Sequence, residues 1–461
     1  MSKIYLQSIK LEGIHKRYNL GIEFNKSLNV LHGQNGTGKS TLIHIMANVA
    51  NCDFVRFAFL EFSKIHVSYS NDTSIVLTQF DDDEDNEKVV KIETHTGETF
   101  QFFKREAIED IRETEDERFY NDYKPELTKR IAEFVKSNEL RYVDTSYFPA
   151  FRTMLEAWSS QKEHREHRVH RRKLAISQAT TFSRNLFGQF LPTINFPSPI
   201  DIENSLREEI REAQIRIARY ESSVFSDSFT KVFSALFEEN NAEINTEKLL
   251  AEISTLTSAS TSSKLGDYEE NSNTYRELQR LVSENANSNA LASTTANALA
   301  VYRDALKARQ SYQIKVFEEI DKYFEVVNSF LDKDKKELGY ELDKNRRMPK
   351  VGLKFPDGTW SSIKVMSSGE RQLLTMLYAV NKMSGNSAVL IDEPELSLHI
   401  DWQEDLLEKM MEQLGDRQII VCTHAPSIAS DFDEYMKEIV PIFKDSLIDD
   451  ETYQDNEEDF F

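Results

Sequence analysis

The sequence predicts an α/β fold: a strand–loop–helix core, an antiparallel β-subdomain beside it, and a long helical insertion. Three observations carry that prediction. A glycine-rich loop, Gly33 to Ser40, sits between an apolar run, Leu28 to Leu31, and a helix-like run with Leu42, Ile43, Ile45, Met46 and Val49. Two later apolar runs end in chemically active side chains. Ala388 to Ile391 leads into Asp392 and Glu393, and Gln418 to Cys422 leads into Thr423 and His424. Between the loop and those runs, residues 155 to 330 are mostly helix-like.

Each element follows from its periodicity. Ile4, Leu6, Ile9 and Leu11, then Ile22, Phe24, Leu28 and Val30, alternate with polar residues and predict strands. After the loop helix, residues 65–69, 75–78, 89–92 and 99–103 have β-type composition, with Gly97 in a turn. Asp81 to Glu84 read as a solvated acidic turn. Residues 105–138 predict helices, and Arg141 to Val143 a return to strand, closed by the loop carrying Pro149. Leu206, Ile210, Ala213 and Ile217 share one helical face. So do Ile314, Phe317, Ile320, Phe324, Val327 and Leu331. The Ser/Thr run from Ser258 to Ser263, with Gly266, predicts a loop or hairpin tip. The tract from Asn285 to Ala300 reads as a low-complexity helix or linker. The expected division is 1–154 for the first part of the core, 155–345 for the helical insertion, 346–444 for the second part of the core, and 445–461 for an acidic tail.

A length of 461 residues allows roughly three domains' worth of chain. The net charge of −22 argues against generic nucleic-acid binding, so direct DNA contact would need a local basic groove. Cys52 and Cys422 lie far apart and predict a reducing compartment without disulfides. No apolar run reaches membrane-spanning length, and the start of the chain has no signal design. The expectation is a soluble, cytoplasmic protein with no membrane partner.

The chemistry concentrates in four segments. Gly33, Asn35, Gly36, Gly38, Lys39, Ser40 and Thr41 match the pattern Gly, four residues, Gly-Lys-Ser. In this pattern glycines let the backbone wrap an anion, the following helix N-terminus supplies N–H groups, and the lysine adds a point charge. The predicted ligand is ATP, with Lys39 at the β- and γ-phosphates. Ser40 and Asp392 would hold Mg²⁺, Asp392 through water. Glu393 is the candidate general base or water-orienting group. His424 would bond the γ-phosphate or Glu393. Ser367, Ser368, Gly369 and Glu370 open a helix, where a hydroxyl and N–H groups suit a further anion contact.

The order of these four segments resembles that of ABC-type P-loop ATPases. The resemblance implies that the loop at Ser367 faces a γ-phosphate held by a second subunit, so that two protomers sandwich two nucleotides. It also implies that subunits meet near Leu396 to His399. A glutamine is expected in the loop after the 141–148 region; none is present, and Arg152 stands there as its candidate substitute.

The interval from Lys39 to Ser367 covers most of the chain and is similar to the SMC-like and OLD-like branches. It is too short for SMC arms and lacks a Cys-x-x-Cys hook. Asp392-Glu393-Pro394-Glu395 and Leu398-His399 resemble OLD nucleases, yet too little chain follows His424 for their nuclease domain. The combination resembles the AriA-type ATPase subunits of PARIS anti-phage systems. That resemblance implies a homodimer with composite ATP sites, built up to a homohexamer. It also implies a TOPRIM-type nuclease effector (AriB) held in check, and release on sensing a phage anti-restriction DNA mimic, so that tRNA is cut and translation stops. The basic cluster of Lys162, His164, Arg165, His167, Arg168, His170, Arg171, Arg172 and Lys173 reads as an exposed charged helix face or as a patch docking an acidic partner or DNA. Its arginines disfavour a metal array. Competing readings are a DNA-clamping SMC/RecF-like repair ATPase and an ATPase partner of an HNH-type nuclease.

Overall fold

A computed structural model describes residues 4–82, 87–115, 125–152, 170–194, 197–237, 248–249, 251–256, 280, 293–332, 335–341, 348–382, 387–415, 417–429 and 431–443. The chain forms two compact units, Met1–Phe196 with Lys382–Phe461, and Pro197–Asn381.

The first part of the first unit runs β1 (Leu6–Ile14), β2 (Tyr18–Glu23), β3 (Leu28–His32), α1 (Lys39–Ala50), β4 (Lys64–Tyr69), β5 (Ser74–Asp81), β6 (Lys88–Thr94), β7 (Thr99–Phe103), α2 (Lys104–Glu115), α3 (Glu126–Ser137), β8 (Asp144–Phe148) and α4 (His170–Phe187). The second unit holds α5 (Pro199–Phe237), α6 (Ser293–Phe330), β9 (Glu337–Glu341), β10 (Lys350–Lys354), β11 (Trp360–Ser361) and α7 (Ser368–Lys382). The chain then returns to the first unit with β12 (Ser387–Asp392), α8 (Ile400–Leu414), β13 (Gln418–Thr423), β14 (Met436–Glu438) and β15 (Ile442–Phe443).

Burial patterns explain the two sheets of the first unit. In β1, Leu6, Ile9 and Leu11 are buried while Gln7, Lys10 and Glu12 face solvent, the period of two expected for a strand covered on one face. It belongs to a seven-stranded sheet in the order β15-β2-β1-β4-β5-β6-β7, antiparallel throughout. By contrast β13 is buried at every position and β3 at all but His32, as strands covered on both faces must be. They lie in a five-stranded parallel sheet, order β14-β3-β13-β12-β8. Because all five strands point one way, the segments after β3, β12 and β13 emerge at one edge, where ligands of open α/β sheets bind. Gln418, at the start of β13, joins the two sheets. Its side-chain amide donates to Leu6 O and Asn25 O, both at 2.9 Å, and accepts from Leu6 N at 3.1 Å.

In the second unit α5 and α6 pack along each other. Tyr220 stacks on Tyr312 with ring centroids 3.9 Å apart, and Arg309 pairs with Glu221 at 3.2 Å. Leu206, Ile210, Ala213 and Ile217 are all buried. Of the second stripe, Phe317, Ile320, Phe324, Val327 and Leu331 are buried, but Ile314 is exposed. The packing line shifts there to Tyr312 and Arg309, which face Tyr220 and Glu221. The end of α6 is tied to the small sheet by Asn328, which exchanges two hydrogen bonds with the Leu338 backbone. It is tied to α7 by the Tyr323 hydroxyl, which donates to Leu374 O.

The structure also departs from the sequence expectations before β8. The strand expected at 141–143 begins instead at Asp144, where pairing with Ser387 of β12 starts. The two compact units divide at 196/197 and 381/382. The reason is that β9, β10, β11 and α7 pack with α5 and α6. The Ser258–Ser263 run, Gly266, the acidic tail, and residues 162–169 of the basic cluster lie outside the described residues.

Candidate functional site

The glycine-rich loop leaves β3 and enters α1 through Gly38, whose φ of 89° only glycine adopts readily. A Cβ there would also lie 2.2 Å from the Tyr18 hydroxyl, so any larger residue would have to displace the Tyr18 ring. That hydroxyl also bonds Thr41. Thr37 donates to Gln34 O at 2.9 Å and closes the loop, while Asn35 and Gly36 (φ 82°) form its exposed tip. No side chain caps α1 at Gly38 and no acid lies in its first turn. The leading N–H groups of α1 are thereby left for an anion.

Lys39 is buried, and its ammonium donates to Gly33 O (2.8 Å), Gln34 O (3.1 Å) and His424 Nδ1 (3.0 Å). An ammonium has three donors, so all are engaged. With Nδ1 accepting from Lys39, the neutral His424 ring carries its proton on Nε2, which faces Glu393 Oε1 at 3.2 Å. Burial and then the Lys39 charge hold His424 below its ordinary pKa, which favours that neutral form. The His424 N–H donates to Glu393 Oε2 and to Glu395 Oε1, each at 3.2 Å.

Asp392 ends β12 and is buried. Burial pushes its carboxyl up to about 6, against the Ser40 hydroxyl bond and the charges of Arg152 and Lys39. Its Oδ1 has no hydrogen-bond partner among the described residues. An orphaned buried carboxylate oxygen beside a serine hydroxyl fits a hard divalent cation, which takes oxygen ligands. Glu393 follows in a left-handed conformation, φ 51°, a strain of roughly 1–2 kcal/mol for a non-glycine residue. Burial, then the neighbouring Glu395 carboxyl, raises its pKa.

Sequence reasoning missed two supports of Glu393. Glu395 is nearly buried and gathers the Thr423 hydroxyl (2.5 Å) and the N–H groups of His424 and Ala425. The alternation of acids around Pro394 was its only signal. Arg152, the candidate replacement for a glutamine, is 1% exposed and donates to the carbonyls of Pro149, Asp392, Glu393 and Pro394. It serves the backbone of the acidic turn.

The Ser367–Glu370 segment belongs to the second unit and forms a reciprocal helix cap. Ser367 Oγ accepts from Glu370 N (3.3 Å), and Glu370 Oε2 accepts from Ser367 N (2.8 Å). Lys336 pairs with the same Glu370 oxygen at 2.9 Å. Burial opposes the Glu370 charge, but Lys336 and Ser367 outweigh it and lower the pKa. The exposed Ser367 hydroxyl keeps its own hydrogen free of the cap, and the N–H groups of Ser368 and Gly369 begin α7.

Glycine-rich loop, buried lysine, strand-end acids and histidine on one edge of a parallel sheet together define a P-loop ATPase domain. Residues 5–429 match the family described as AAA ATPase domain, and the chain belongs to that family. A retron Ec83 probable ATPase from Escherichia coli is 28% identical over 256 residues, 52% of this chain and 44% of that protein, so the match spans less than half of the relative's length. Similar solved structures include an Smc head domain with an extended coiled coil bound to the C-terminal domain of ScpA, from Pyrococcus furiosus. It shows 14% identity, a TM-score of 0.38 and 96% coverage of both chains. An Smc head domain with a coiled coil and joint from Pyrococcus yayanosii gives 14% and 0.31, covering 91% of this chain and 92% of that one. Among the described residues no helix is long and apolar enough to cross a membrane.

Proposed function

We propose that the chain binds ATP at the glycine-rich loop and hydrolyses it, with Glu393 orienting the attacking water and His424 relaying the position of Lys39 to Glu393. The observation that carries this reading is the continuous hydrogen-bonded chain Lys39–His424–Glu393. Lys39 and the α1 N-terminus would receive the phosphates. Mg²⁺, held by Ser40 and Asp392, would neutralise phosphate charge. Ser367 and the N–H groups of Ser368 and Gly369 would complete the site of a second protomer, giving a homodimer and higher homo-oligomers. The test is Glu393→Gln in the full chain. It should bind ATP, lose hydrolysis by about 10²–10⁴-fold and accumulate as an ATP-bound dimer in size-exclusion chromatography. Normal turnover removes Glu393 from the mechanism, and a monomer with bound ATP removes the composite site.

We read the chain as an anti-phage defence ATPase acting in the cytoplasm, and the retron relative supports the defence role. In this reading the oligomer restrains a TOPRIM-type nuclease and releases it when an acidic DNA mimic docks on the Lys162–Lys173 cluster. A second reading gives the chain an HNH-type nuclease partner in another defence system. Co-expression with the adjacent gene separates the two by the nuclease type that co-purifies. Salt-sensitive DNA binding with DNA-stimulated hydrolysis would favour a repair ATPase over both.

A further inference from the structure

We infer that Arg152 is a positioning residue for hydrolysis: its guanidinium grips the main chain around Glu393 and so sets where that carboxylate points. The inference rests on the reading of Glu393 as the group that orients water. Arg152 is buried just beyond β8 and donates to Asp392 O at 3.0 Å, Glu393 O at 2.9 Å and Pro394 O at 3.1 Å, besides Pro149 O at 3.2 Å. A guanidinium is a rigid planar fork. Three consecutive carbonyls bound to one such fork fix the peptide planes that follow Asp392, Glu393 and Pro394. On the other side, Glu393 N donates to Cys422 O of β13 at 2.8 Å. Both peptide groups flanking the Glu393 Cα are therefore held, one by a neighbouring strand and one by Arg152. Between them Glu393 keeps its φ of 51°. Relaxing to an ordinary φ would swing the Glu393 and Pro394 carbonyls off the guanidinium and carry the carboxylate away from His424, which receives it with Nε2 and its own N–H. A lysine is a point donor and cannot hold three carbonyls in one plane.

The test uses the full chain with Arg152→Lys, Glu393→Gln and the double variant. The readouts are affinity for a fluorescent ATP analogue, single-turnover hydrolysis at saturating ATP, and thermal unfolding. Arg152→Lys should bind nucleotide within about threefold of the parent. It should hydrolyse about 100-fold more slowly, the scale of loss from small misplacement of a reacting group. In the Glu393→Gln background it should add no further slowing. Unchanged turnover per folded molecule overturns the inference, and so does additive slowing in the double variant. A lysine variant that cannot fold also overturns it, because the guanidinium would then be assigned to holding the fold. Normal hydrolysis by Glu393→Gln sinks the underlying reading instead; an inactive Glu393→Gln beside a fully active Arg152→Lys sinks only the role of Arg152.

Discussion

Lys39 Nζ lies 3.0 Å from His424 Nδ1, so the glycine-rich loop and the end of β13 share a hydrogen bond. The bond selects the histidine tautomer that faces Glu393. A phosphate that draws the ammonium away from Nδ1 changes what His424 presents to the acid. On the proposed reading, nucleotide binding and water positioning would be linked through one imidazole.

Lys39→Ala should weaken ATP affinity by about 10–100-fold, the worth of a charge-assisted hydrogen bond to phosphate. Titration with a fluorescent nucleotide reads it. Unaltered affinity would mean that the phosphates bind elsewhere.

His424→Asn should leave ATP affinity near that of the parent and slow hydrolysis by about 10²-fold, as loss of one preorganised donor does. Single-turnover kinetics at saturating ATP separates the two quantities. A fall in affinity with an unaffected rate constant would make His424 a binding residue alone.

Gln418→Met should destabilise the first unit by about 2–5 kcal/mol. It leaves the Leu6 N–H and the Leu6 and Asn25 carbonyls without this partner in a buried setting. Urea unfolding measures the cost; a shift under about 0.5 kcal/mol, the range of ordinary surface changes, would show that other groups satisfy them.

His44 is partly buried, bonds the Tyr147 hydroxyl at 2.8 Å, and is pushed by burial from 6.5 down to about 4. Below pH 6.5 the unfolded imidazole takes a proton that the folded one refuses. Stability should therefore be full above pH 6.5 and fall as pH drops toward 4. The slope from this group is about 1.4 kcal/mol per pH unit, or roughly 3 kcal/mol across the window. His44→Gln should flatten that part of the pH–stability curve; an unchanged slope would clear His44 of the effect.

Glu370→Ala removes both the return bond of the helix cap and the partner of Lys336. Global stability should drop by only about 1 kcal/mol. If Ser367 acts across a dimer, hydrolysis should fall while nucleotide affinity of the protomer holds. A fully active variant would show that the cap does not shape the loop for function.

The glycine-rich loop and the acids after β12 were readable because each motif lies within a few residues of chain and is flanked by its own strand or helix. Arg152 and Gln418 were not. Arg152 meets Asp392 across 240 positions and Gln418 meets Leu6 across 412, and no periodicity in either segment encodes such partners. The strand at 144–148 was misplaced by a few residues because apolar alternation marks a buried edge, whereas pairing with β12 decides where the strand begins. Ile314 failed its stripe because the helix pair turns on Tyr220 and Tyr312, a contact between distant segments.

The order of the parallel sheet has a consequence for biosynthesis. β3, made early, is flanked only by β13 and β14, both made near the end. While the ribosome is still translating the intervening helices, the strand that launches the glycine-rich loop has neither neighbour, and its two naked edges need shelter from misassociation. The strand that launches the glycine-rich loop can therefore gain its two neighbours only after residues 418–438 have been made.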